Sequence, residues 1–492
     1  MDLAWLLPLL IATPVVLAGA SLLLPSARAV IAFCAAGTLA VAALSGLAAW
    51  SAFHSGVLFA ARRWLMLDAL SAFHLVVMMA VFGLSALYAV GYFGEEIRRD
   101  EFSRKTARRY GGLWFGSLAA MMLVLLSNNL GVMWVGIEAT TLLTAFLICI
   151  HGSPAALEGM WKYLLMCSVG VAMAFTGILL VAASTGPAGL HGTDALLWTH
   201  LRDEAARLSP MLVKAGFLFM VIGYGTKAGL APMHNWLPDA HSQAPAPVSA
   251  VFSGFLLNCA LYCILRALPL ADAAAGPAWG REILVAFGLI SILVAAVFIL
   301  AQHDLKRLLA YHSVEHLGII ALGVGLGGLG AFAALYHMLN HSLCKTVSFF
   351  CAGRLGQLRG THDMRRLTGV LRSAPLLGGG LVVAMLALIG VAPFALFMSE
   401  FYILKAALDH GSWLAAALFL FGGAVVFVGA LRHVVSMAWQ PADEPAARLA
   451  TPWLEGALVL APLAALLVLG VWMPPPLRMA LTQAASFLGG AL

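Results

Sequence analysis

Charged residues are scarce in this sequence. Asp, Glu, Lys and Arg together make up 10% of its 492 residues, whereas hydrophobic residues make up 62%. A typical soluble domain has about 25% charged and 45–50% apolar residues. The composition therefore excludes an ordinary soluble protein and predicts one that is embedded in a lipid bilayer. The net charge of +6 is typical of basic cytoplasmic loops in a membrane protein, and we expect no nucleic-acid partner.

The sequence also lacks the residue patterns that hold cofactors. Its seven cysteines lie in apolar segments and form no CxxC pair, whereas iron–sulfur and zinc sites need closely spaced thiolates. The glycine-rich run from Gly323 to Gly330 is also apolar, which favours a loop between two helices over a phosphate site. We therefore expect no cofactor, no metal and no catalytic centre in this chain.

Apolar stretches long enough to cross a bilayer, about 20 residues each, recur along the chain. The sequence predicts an all-α polytopic membrane protein with about fourteen transmembrane helices. The first stretch lacks the basic start of a cleaved signal peptide, so we expect it to remain as a helix. The predicted spans cover residues 3–24, 28–50, 65–91, 112–127, 129–151, 158–184, 210–240, 246–268, 282–301, 305–326, 329–352, 376–407, 413–437 and 453–473.

Two of these spans, 210–240 and 376–407, are too long for one plain helix, and each contains a Gly-x-Ala-Pro motif. The motifs end at Pro232 and Pro393. Proline interrupts a helix, and irregular backbone inside a membrane survives only where protein or a water-filled cavity satisfies it. A matched pair of broken helices predicts a transporter built from inverted repeats, with a site at each break. Two unrelated proline kinks are the alternative.

Basic residues concentrate in two loops that each follow an odd-numbered span. The loop after the third span has six Lys or Arg residues, and the loop after the eleventh has five Arg against a single Asp363. Since cytoplasmic loops are enriched in Lys and Arg, this distribution predicts that both termini lie on the outer face. We expect the protein to reside in a bacterial inner membrane.

Ionisable residues lie deep within several predicted spans, although a charge at the centre of a membrane helix costs about 2.5–3.5 kcal/mol. In the eleventh span, a spacing of four places His337, His341 and Lys345 on one helical face. The full set of these residues is Glu138, Lys227, His312, Glu315, His316, His337, His341, Lys345 and Glu400.

These residues predict a proton relay, because each of them can accept and release a proton. We expect a lysine such as Lys227 to pair with a glutamate such as Glu138. Lys405, about one turn after Glu400, and His241, beside the first break, are possible accessory groups. The alternative is that the residues tie helices together through buried ion pairs, and for any single histidine the two interpretations are evenly matched.

Other charged residues lie near the ends of predicted spans, where snorkelling or a loop contact explains them better than a relay. Asp239, near the first break, is as well explained by a structural hydrogen bond. The span-end residues are Asp68, Lys162, Lys214, Lys306 and Arg307.

Four stretches of the chain are recognisable. GTKAGLAPMHNWLPDAHSQAPAPVSA, at residues 225–250, resembles the signature of the antiporter-like subunits of respiratory complex I, which are similar to the large subunits of multisubunit cation/proton antiporters. WVGIEATTLLTA, HDLKRLLAYHSVEHLGIIALG and HMLNHSLCKTVSFFCAG resemble in particular the F component of hydrogenase-4 and formate hydrogenlyase complexes.

This resemblance implies fourteen helices with two inverted five-helix repeats. Residues 1–110 would hold helices 1–3, residues 111–268 the first repeat, residues 281–437 the second, and residues 438–492 helix 14. It also implies that Glu138, Lys227, His337, His341, Lys345 and Glu400 match the ionisable positions of the family.

One position departs from the family pattern. Asn258 replaces a lysine of many relatives. Because asparagine cannot titrate, the link from Lys227 to the central histidines would depend on water or on His241.

Three functions are compatible with these features. The resemblance favours a proton-translocating subunit of a redox-driven complex, either a membrane-bound hydrogenase or a complex I-like dehydrogenase. Its partners would be other antiporter-like membrane subunits and a peripheral arm with iron–sulfur clusters and perhaps a nickel–iron site. The alternatives are a subunit of a Na⁺/H⁺ antiporter without redox coupling and a structural anchor, which the intramembrane charges argue against. Protons and sodium ions are not distinguished by the sequence.

Overall fold

The computed structural model describes residues 3–440 and 451–489, and most of these residues are helical. The first half of the chain forms α1 (Leu6–Ser21), α2 (Ala27–Ser55), α3 (Ala69–Arg98), α4 (Arg104–Leu126), α5 (Leu130–Ile148), α6 (Pro154–Ala183), α7 (Trp198–Asp203), α8 (Pro210–Ala228), α9 (Trp236–Gln243), α10 (Ala246–Val251) and α11 (Leu257–Ala275). The second half forms α12 (Pro277–Ala301), α13 (Leu305–Leu326), α14 (Gly328–Arg359), α15 (Val370–Ser373), α16 (Pro375–Leu388), α17 (Ala395–Asp409), α18 (Trp413–Trp439), α19 (Trp453–Val471) and α20 (Pro475–Ser486).

The predicted all-α membrane fold is confirmed. Within the described residues, eleven helical segments are long and apolar enough to cross a bilayer, and α1 and α16 are shorter apolar helices. The 32-residue α14 carries the polar stripe. Each predicted span coincides with a helical segment, or with a pair of helices in the two long spans.

Polar side chains fix where many of these helices begin. A serine, aspartate or asparagine immediately before the helix accepts a hydrogen bond from a backbone N–H of the first turn, which has no partner within the helix. The capping residues are Ser26, Asp68, Ser103, Asn129, Ser153 and Asp304.

Both long spans are interrupted at their Gly-x-Ala-Pro motifs. Gly229 ends α8 with a φ of 78°, and Gly390 follows α16 with a φ of 70°, a backbone conformation that glycine adopts without a steric penalty. The peptide bonds before Pro232 and Pro393 are cis. Side chains of neighbouring helices satisfy part of the freed backbone: Ala231 N–H donates to Ser291 Oγ at 2.9 Å.

The helices sort into a buried centre and an outer layer. The most apolar segments of α11 and α13 are entirely buried inside the protein, whereas α2, α6, α12, α18 and α19 bury 39% of theirs. The outer helices expose large apolar side chains such as Val169, Val297 and Val428. This distribution is expected of a bundle whose outer surface faces lipid.

Glycines bring α6 and α8 into close contact. The Cβ of an alanine at Gly177 would lie 2.5 Å from the carbonyl oxygen of Gly216, and Gly170 faces Gly223 in the same way. Small residues at such contacts let helix backbones approach closely in membranes. Through this contact α8 is held directly against the helix that carries Tyr163.

Several elements were not predicted, among them the short helices α7 and α15. An antiparallel hairpin pairs β1 (Leu58–Ala60) with β2 (Leu65–Leu67) just before α3, at the start of the predicted third span. An apolar run of three residues does not distinguish strand from helix. A π-helical turn, Phe252–Leu256, connects α10 to α11. The polar helix α20 follows the last span.

The repeat boundaries, 111–268 and 281–437, stay a prediction. Each range contains one broken helix, α8–α9 or α16–α17. The last predicted unit, 438–492, falls in part on residues 441–450 and 490–492, which lie outside the described residues.

Candidate functional site

Apart from Lys405, the residues singled out in the sequence line the centre of the bundle. Glu138 and Glu400 are partly exposed, and the remaining members are buried. The buried members are Lys227, His241, Asn258, His312, Glu315, His316, His337, His341 and Lys345.

Lys227, on α8 two residues before the first break, is held by hydroxyl groups. Its ammonium group donates to Thr141 Oγ1 at 2.9 Å and to the hydroxyl of Tyr163. It also lies 4.5 Å from the centre of the Tyr163 ring, a cation–π contact. The Tyr163 hydroxyl in turn contacts Thr144 Oγ1 at 2.5 Å. A buried cation is thereby joined to a short row of hydroxyls on α5 and α6.

The expected ion pair between Glu138 and Lys227 does not form. Glu138 Oε1 accepts from Ser168 Oγ at 3.2 Å, and its other carboxylate oxygen is buried without a hydrogen-bond partner. Thr141, one turn after Glu138 on α5, occupies the position beside the lysine. The prediction was wrong because a one-turn offset along α5 brings a hydroxyl, not the carboxylate, to the ammonium group.

On α13, His312 Nδ1 lies 2.9 Å from Glu315 Oε2. His312 Nε2 has no hydrogen-bond partner. The pair is separated by three positions, so both side chains lie on one face of the helix. Neither group contacts Lys345 by a hydrogen bond or an ion pair in the described part of the chain.

A hydrogen-bonded row crosses from α13 through α14 to α17. His316 Nδ1 lies 2.9 Å from His337 Nε2, and His337 Nδ1 lies 2.8 Å from Ser399 Oγ. Ser399 donates its one hydroxyl proton to a backbone carbonyl, that of Leu396 at 2.8 Å. Ser399 therefore accepts from His337 Nδ1–H, which leaves His337 Nε2 as an acceptor and His316 Nδ1 as its donor. The two imidazoles are thus hydrogen-bonded to each other between two helices.

His341 and Lys345 continue the stripe of α14. The ring of His341 lies 5.1 Å from that of His316, and neither of its nitrogens has a hydrogen-bond partner. Lys345 donates to the backbone carbonyl of Leu309, and its ammonium group lies 5.1 Å from the centre of the Phe349 ring. The predicted shared face of His337, His341 and Lys345 is therefore buried against α13.

Asn258 lies two residues after the end of the π-helical turn. Its Nδ2 donates to the carbonyl of Gly254 and to Ser342 Oγ, both at 3.1 Å, and its Oδ1 is buried without a partner. A π-helical turn frees backbone carbonyls and is frequent at functional sites. Asn258 thus joins α11 to α14 but reaches neither lysine by a hydrogen bond.

His241, on α9, separates the two lysine groups. Its ring stacks on Phe349 at 5.1 Å and meets Phe252 edge-on at 6.2 Å, and neither ring nitrogen has a hydrogen-bond partner. Phe252 stacks on Tyr163 at 6.4 Å. Aromatic rings, rather than hydrogen bonds, therefore connect the surroundings of Lys227 and Lys345.

Glu400, on α17, lies against Gly390 of the second break. Together with Glu315 it lines a cavity of about 460 Å³ between α12, α13, α17 and α18, whose walls are otherwise apolar. Lys405 does not belong to this group, since it is exposed and pairs with Asp409 at 2.5 Å. Lys405 follows Glu400 by five positions, which places it about 140° from Glu400 around the helix and away from the cavity.

The hydroxyl groups of the site were not among the predicted functional groups. Thr141 and Thr144 follow Glu138 at intervals of three, a spacing that places them near one helical face and was available as a signal. Tyr163 and Ser399 gave no such signal because their roles depend on contacts between helices. His234, beside the first break, was also missed and is buried without a hydrogen-bond partner.

Charged residues at the span ends form a second network around α9. Asp239 pairs with Arg307 at 2.5 Å and with Lys162 at 2.9 Å. Lys306 is buried, not snorkelling, and donates to the carbonyls of Ser242 at 3.1 Å and Ala244 at 2.5 Å. A cation near a helix C-terminus is favoured by the helix dipole, so Lys306 anchors the end of α9 to α13.

Comparison with known proteins gives consistent matches. Residues 127–426 match the family described as NADH:quinone oxidoreductase/Mrp antiporter, TM. The chain is 43% identical over 348 residues to the hydrogenase-4 component F homolog of Methylacidiphilum infernorum (isolate V4), which covers 70% of this chain and 73% of that protein.

Two solved structures share the fold. A chain of the membrane-bound sulfane sulfur reductase, an archaeal respiratory membrane complex, superposes with a TM-score of 0.86 at 25% identity, covering 98% of each chain. A chain of the Mrp complex from Dietzia sp. DQ12-45-1b superposes with a TM-score of 0.85 at 20% identity, covering 99% of this chain and 98% of that one. The second likeness concerns the fold alone.

Proposed function

Since the chain belongs to the NADH:quinone oxidoreductase/Mrp antiporter family of membrane proteins, we propose that it translocates protons as a membrane subunit of a redox-driven complex. The complex is of the hydrogenase-4 or complex I type. The observation that carries the proposal is the set of ionisable side chains that extends from Lys227 through the histidines of α13 and α14, all buried, to the partly exposed Glu400. Such residues are rare in membrane helices and mark ion pathways and proton relays.

The histidine pair is the best-defined step of the relay. His316 donates to His337 through one nitrogen while its other nitrogen, Nε2, is free of hydrogen bonds. A proton that arrives at Nε2 can leave at the other end of the pair, because each imidazole carries two nitrogens that exchange donor and acceptor roles. Glu400, which faces the cavity, is the acceptor at the end of the row.

An energy source outside this chain is required. Moving one charge against 100 mV costs about 2.3 kcal/mol. A peripheral redox arm with iron–sulfur clusters, and a nickel–iron site if the complex is a hydrogenase, supplies it in this proposal. Other antiporter-like membrane subunits complete the complex, in a bacterial inner membrane, with both termini on the outer face.

The experiment is proton pumping by the purified complex in proteoliposomes. Lys227→Ala or Glu400→Ala abolishes pumping but leaves much of the electron transfer. Lys405→Ala, at the exposed lysine paired with Asp409, leaves both intact. Unchanged pumping in both relay variants would contradict the proposal.

A Na⁺/H⁺ antiporter subunit without redox coupling is the second candidate, because the description of the matching family includes the Mrp antiporter. The two candidates differ in what drives transport. Pumping that requires the electron donor supports the redox-driven subunit, whereas Na⁺-dependent proton exchange without any donor supports the antiporter.

A further inference from the structure

The cysteine pattern led us to expect no metal, but the centre of the bundle offers a different set of ligands. His316, His337 and Glu400 come from α13, α14 and α17, and one ligand atom of each lies within 4.8 Å of the other two. His312, Glu315 and His316 form a second, overlapping set on α13 alone. Imidazole and carboxylate are ligands that zinc accepts in proteins.

The three-helix set has the features of a prepared site. His337 is oriented by Ser399, which accepts from its Nδ1–H at 2.8 Å and so directs the lone pair of Nε2 towards His316. Histidines that bind metals nearly always donate their other ring N–H in this way. In the α13 set, His312 Nδ1 faces Glu315 and its other nitrogen, Nε2, has no partner, so no group outside the set orients this ring.

The distances are compatible with one ion. His316 Nδ1 and His337 Nε2 are already 2.9 Å apart. One ion with bonds of about 2.0–2.2 Å reaches ligand atoms up to about 4.4 Å apart, close to the 4.8 Å within which the three atoms lie. Glu400 also lines the 460 Å³ cavity, so the site is not sealed within the bundle.

We propose that His316, His337 and Glu400 form a binding site for a divalent transition metal, with Zn²⁺ as the best match, and that the bound ion blocks the relay. Binding requires the proton of His316 Nδ1 to move to His316 Nε2, so that Nδ1 and His337 Nε2 both present lone pairs to the ion and the hydrogen bond between the two imidazoles is lost. The site itself stands on the geometry, whereas the blockade depends on the proposed proton translocation.

The site is tested by the zinc content of the purified complex after dialysis at a fixed free Zn²⁺ concentration. The wild-type complex retains one more zinc per complex than His337→Ala. Ser399→Ala, which removes only the orienting hydroxyl, weakens binding by about 10–100-fold. His341→Ala is the matched control, since His341 is equally buried, lies 5.1 Å from His316 and belongs to neither set; it retains the zinc.

Two results overturn the assignment. Equal zinc in His337→Ala and wild type would exclude the site, and loss in His312→Ala but not in His337→Ala would move it to α13 alone. Where His337→Ala does not assemble, Glu400→Gln takes its place. Proton pumping is measured in parallel: binding without inhibition would contradict the relay but not the metal site.

Discussion

Lys227 keeps its ammonium group buried with two hydroxyls and an aromatic ring around it, and without a carboxylate in contact. Hydrogen bonds that involve a charged group contribute about 1.5–3 kcal/mol each, so these partners stabilise the cation in place. The Tyr163 hydroxyl also offers a route for a proton to or from Lys227, because it is hydrogen-bonded to Thr144 as well. Tyr163 therefore both stabilises the Lys227 ammonium group and connects it to Thr144.

Tyr163→Phe separates these two roles. The phenylalanine keeps the ring beside Lys227 but removes the hydroxyl link to Thr144. We expect a complex that assembles normally and pumps about tenfold more slowly, the effect of a barrier raised by about 1.4 kcal/mol. The measurement is the initial rate of proton uptake in proteoliposomes. A pumping rate equal to that of wild type would show that the hydroxyl is not on the path.

His362, in the loop after α14, gives a pH dependence that can be measured apart from transport. Burial, and to a lesser extent the positive charge of Lys306, lowers the pKa of His362 from its ordinary 6.5 to about 3. The unfolded chain therefore binds a proton below about pH 6.5 that the folded chain does not, and stability is lost as the pH falls through this range.

The corresponding variant is His362→Gln, which cannot titrate. As the pH falls from about 7 to about 5, we expect the free energy of unfolding to decrease more in wild type than in the variant. The difference grows by up to about 1.4 kcal/mol per pH unit once the pH is below about 6.5. The measurement is thermal unfolding of the detergent-solubilised protein at both pH values. Parallel losses in the two proteins would show that His362 does not titrate in this way.

At the scale of elements, the helices with irregular backbone lie next to the ionisable residues. Lys227 precedes the first break, Glu400 lies against the second, and Asn258 follows the π-helical turn. Backbone groups freed at a break inside a membrane need hydrogen-bond partners from the surrounding protein. Ser291 on α12 and Asn340 on α14 supply two of these hydrogen bonds. The packing of regular helices therefore decides whether the irregular ones keep their functional groups in place.

Gly223→Ala tests this dependence on packing. Its Cβ would lie 2.5 Å from the backbone nitrogen of Ala174 and would also press on the carbonyl of Gly170. Since backbone cannot move aside cheaply, we expect a loss of about 1–3 kcal/mol and slower pumping, because α8 carries Lys227. The measurements are the unfolding temperature of the complex and its pumping rate.

Gly225→Ala is the control on the same helix. Its Cβ would meet nothing closer than a Leu230 methyl group at 3.5 Å, an ordinary contact. We expect this variant to unfold at or above the wild-type temperature. Equal destabilisation by both substitutions would show that loss of glycine, not the contact with α6, is responsible.

At the scale of the whole molecule, the residues of the proposed relay form two hydrogen-bonded groups with an aromatic region between them. One group surrounds Lys227, and the other runs from His316 to Ser399. In the described part of the chain, no hydrogen bond connects the two, and His241 lies between them, flanked by Phe252 and Phe349. The rings of Phe252 and Phe349 have no group that can exchange a proton. His241 is therefore the titratable ring between them.

His241→Phe should therefore abolish pumping as completely as Lys227→Ala while electron transfer continues. The new ring preserves the stacking on Phe349 but has no nitrogen to carry a proton. His234→Phe is the control, because His234 is also buried at the first break but packs against Phe298 and Tyr311 instead. Normal pumping by His241→Phe would place the connection elsewhere, for instance through water at Asn258.

The sequence by itself determined the membrane class, the positions of the spans and both breaks. These features depend on composition and on local backbone chemistry: a run of about 20 apolar residues and a proline act within their own segment. The ionisable residues of the centre were also visible, because a charge in an apolar run stands out whatever surrounds it.

Only the tertiary structure decided which of these residues meet. Thr141 rather than Glu138 reaches Lys227, Ser399 orients His337, and Lys405 turns outward, none of which the spacing of residues along one helix determines. Contacts between helices depend on their rotation and depth, and a shift of one residue turns a helical side chain by about 100°. The sequence therefore identifies the residues of the proposed relay, whereas helix packing decides which of them are neighbours. Packing also brings His316, His337 and Glu400 together as a possible ligand set.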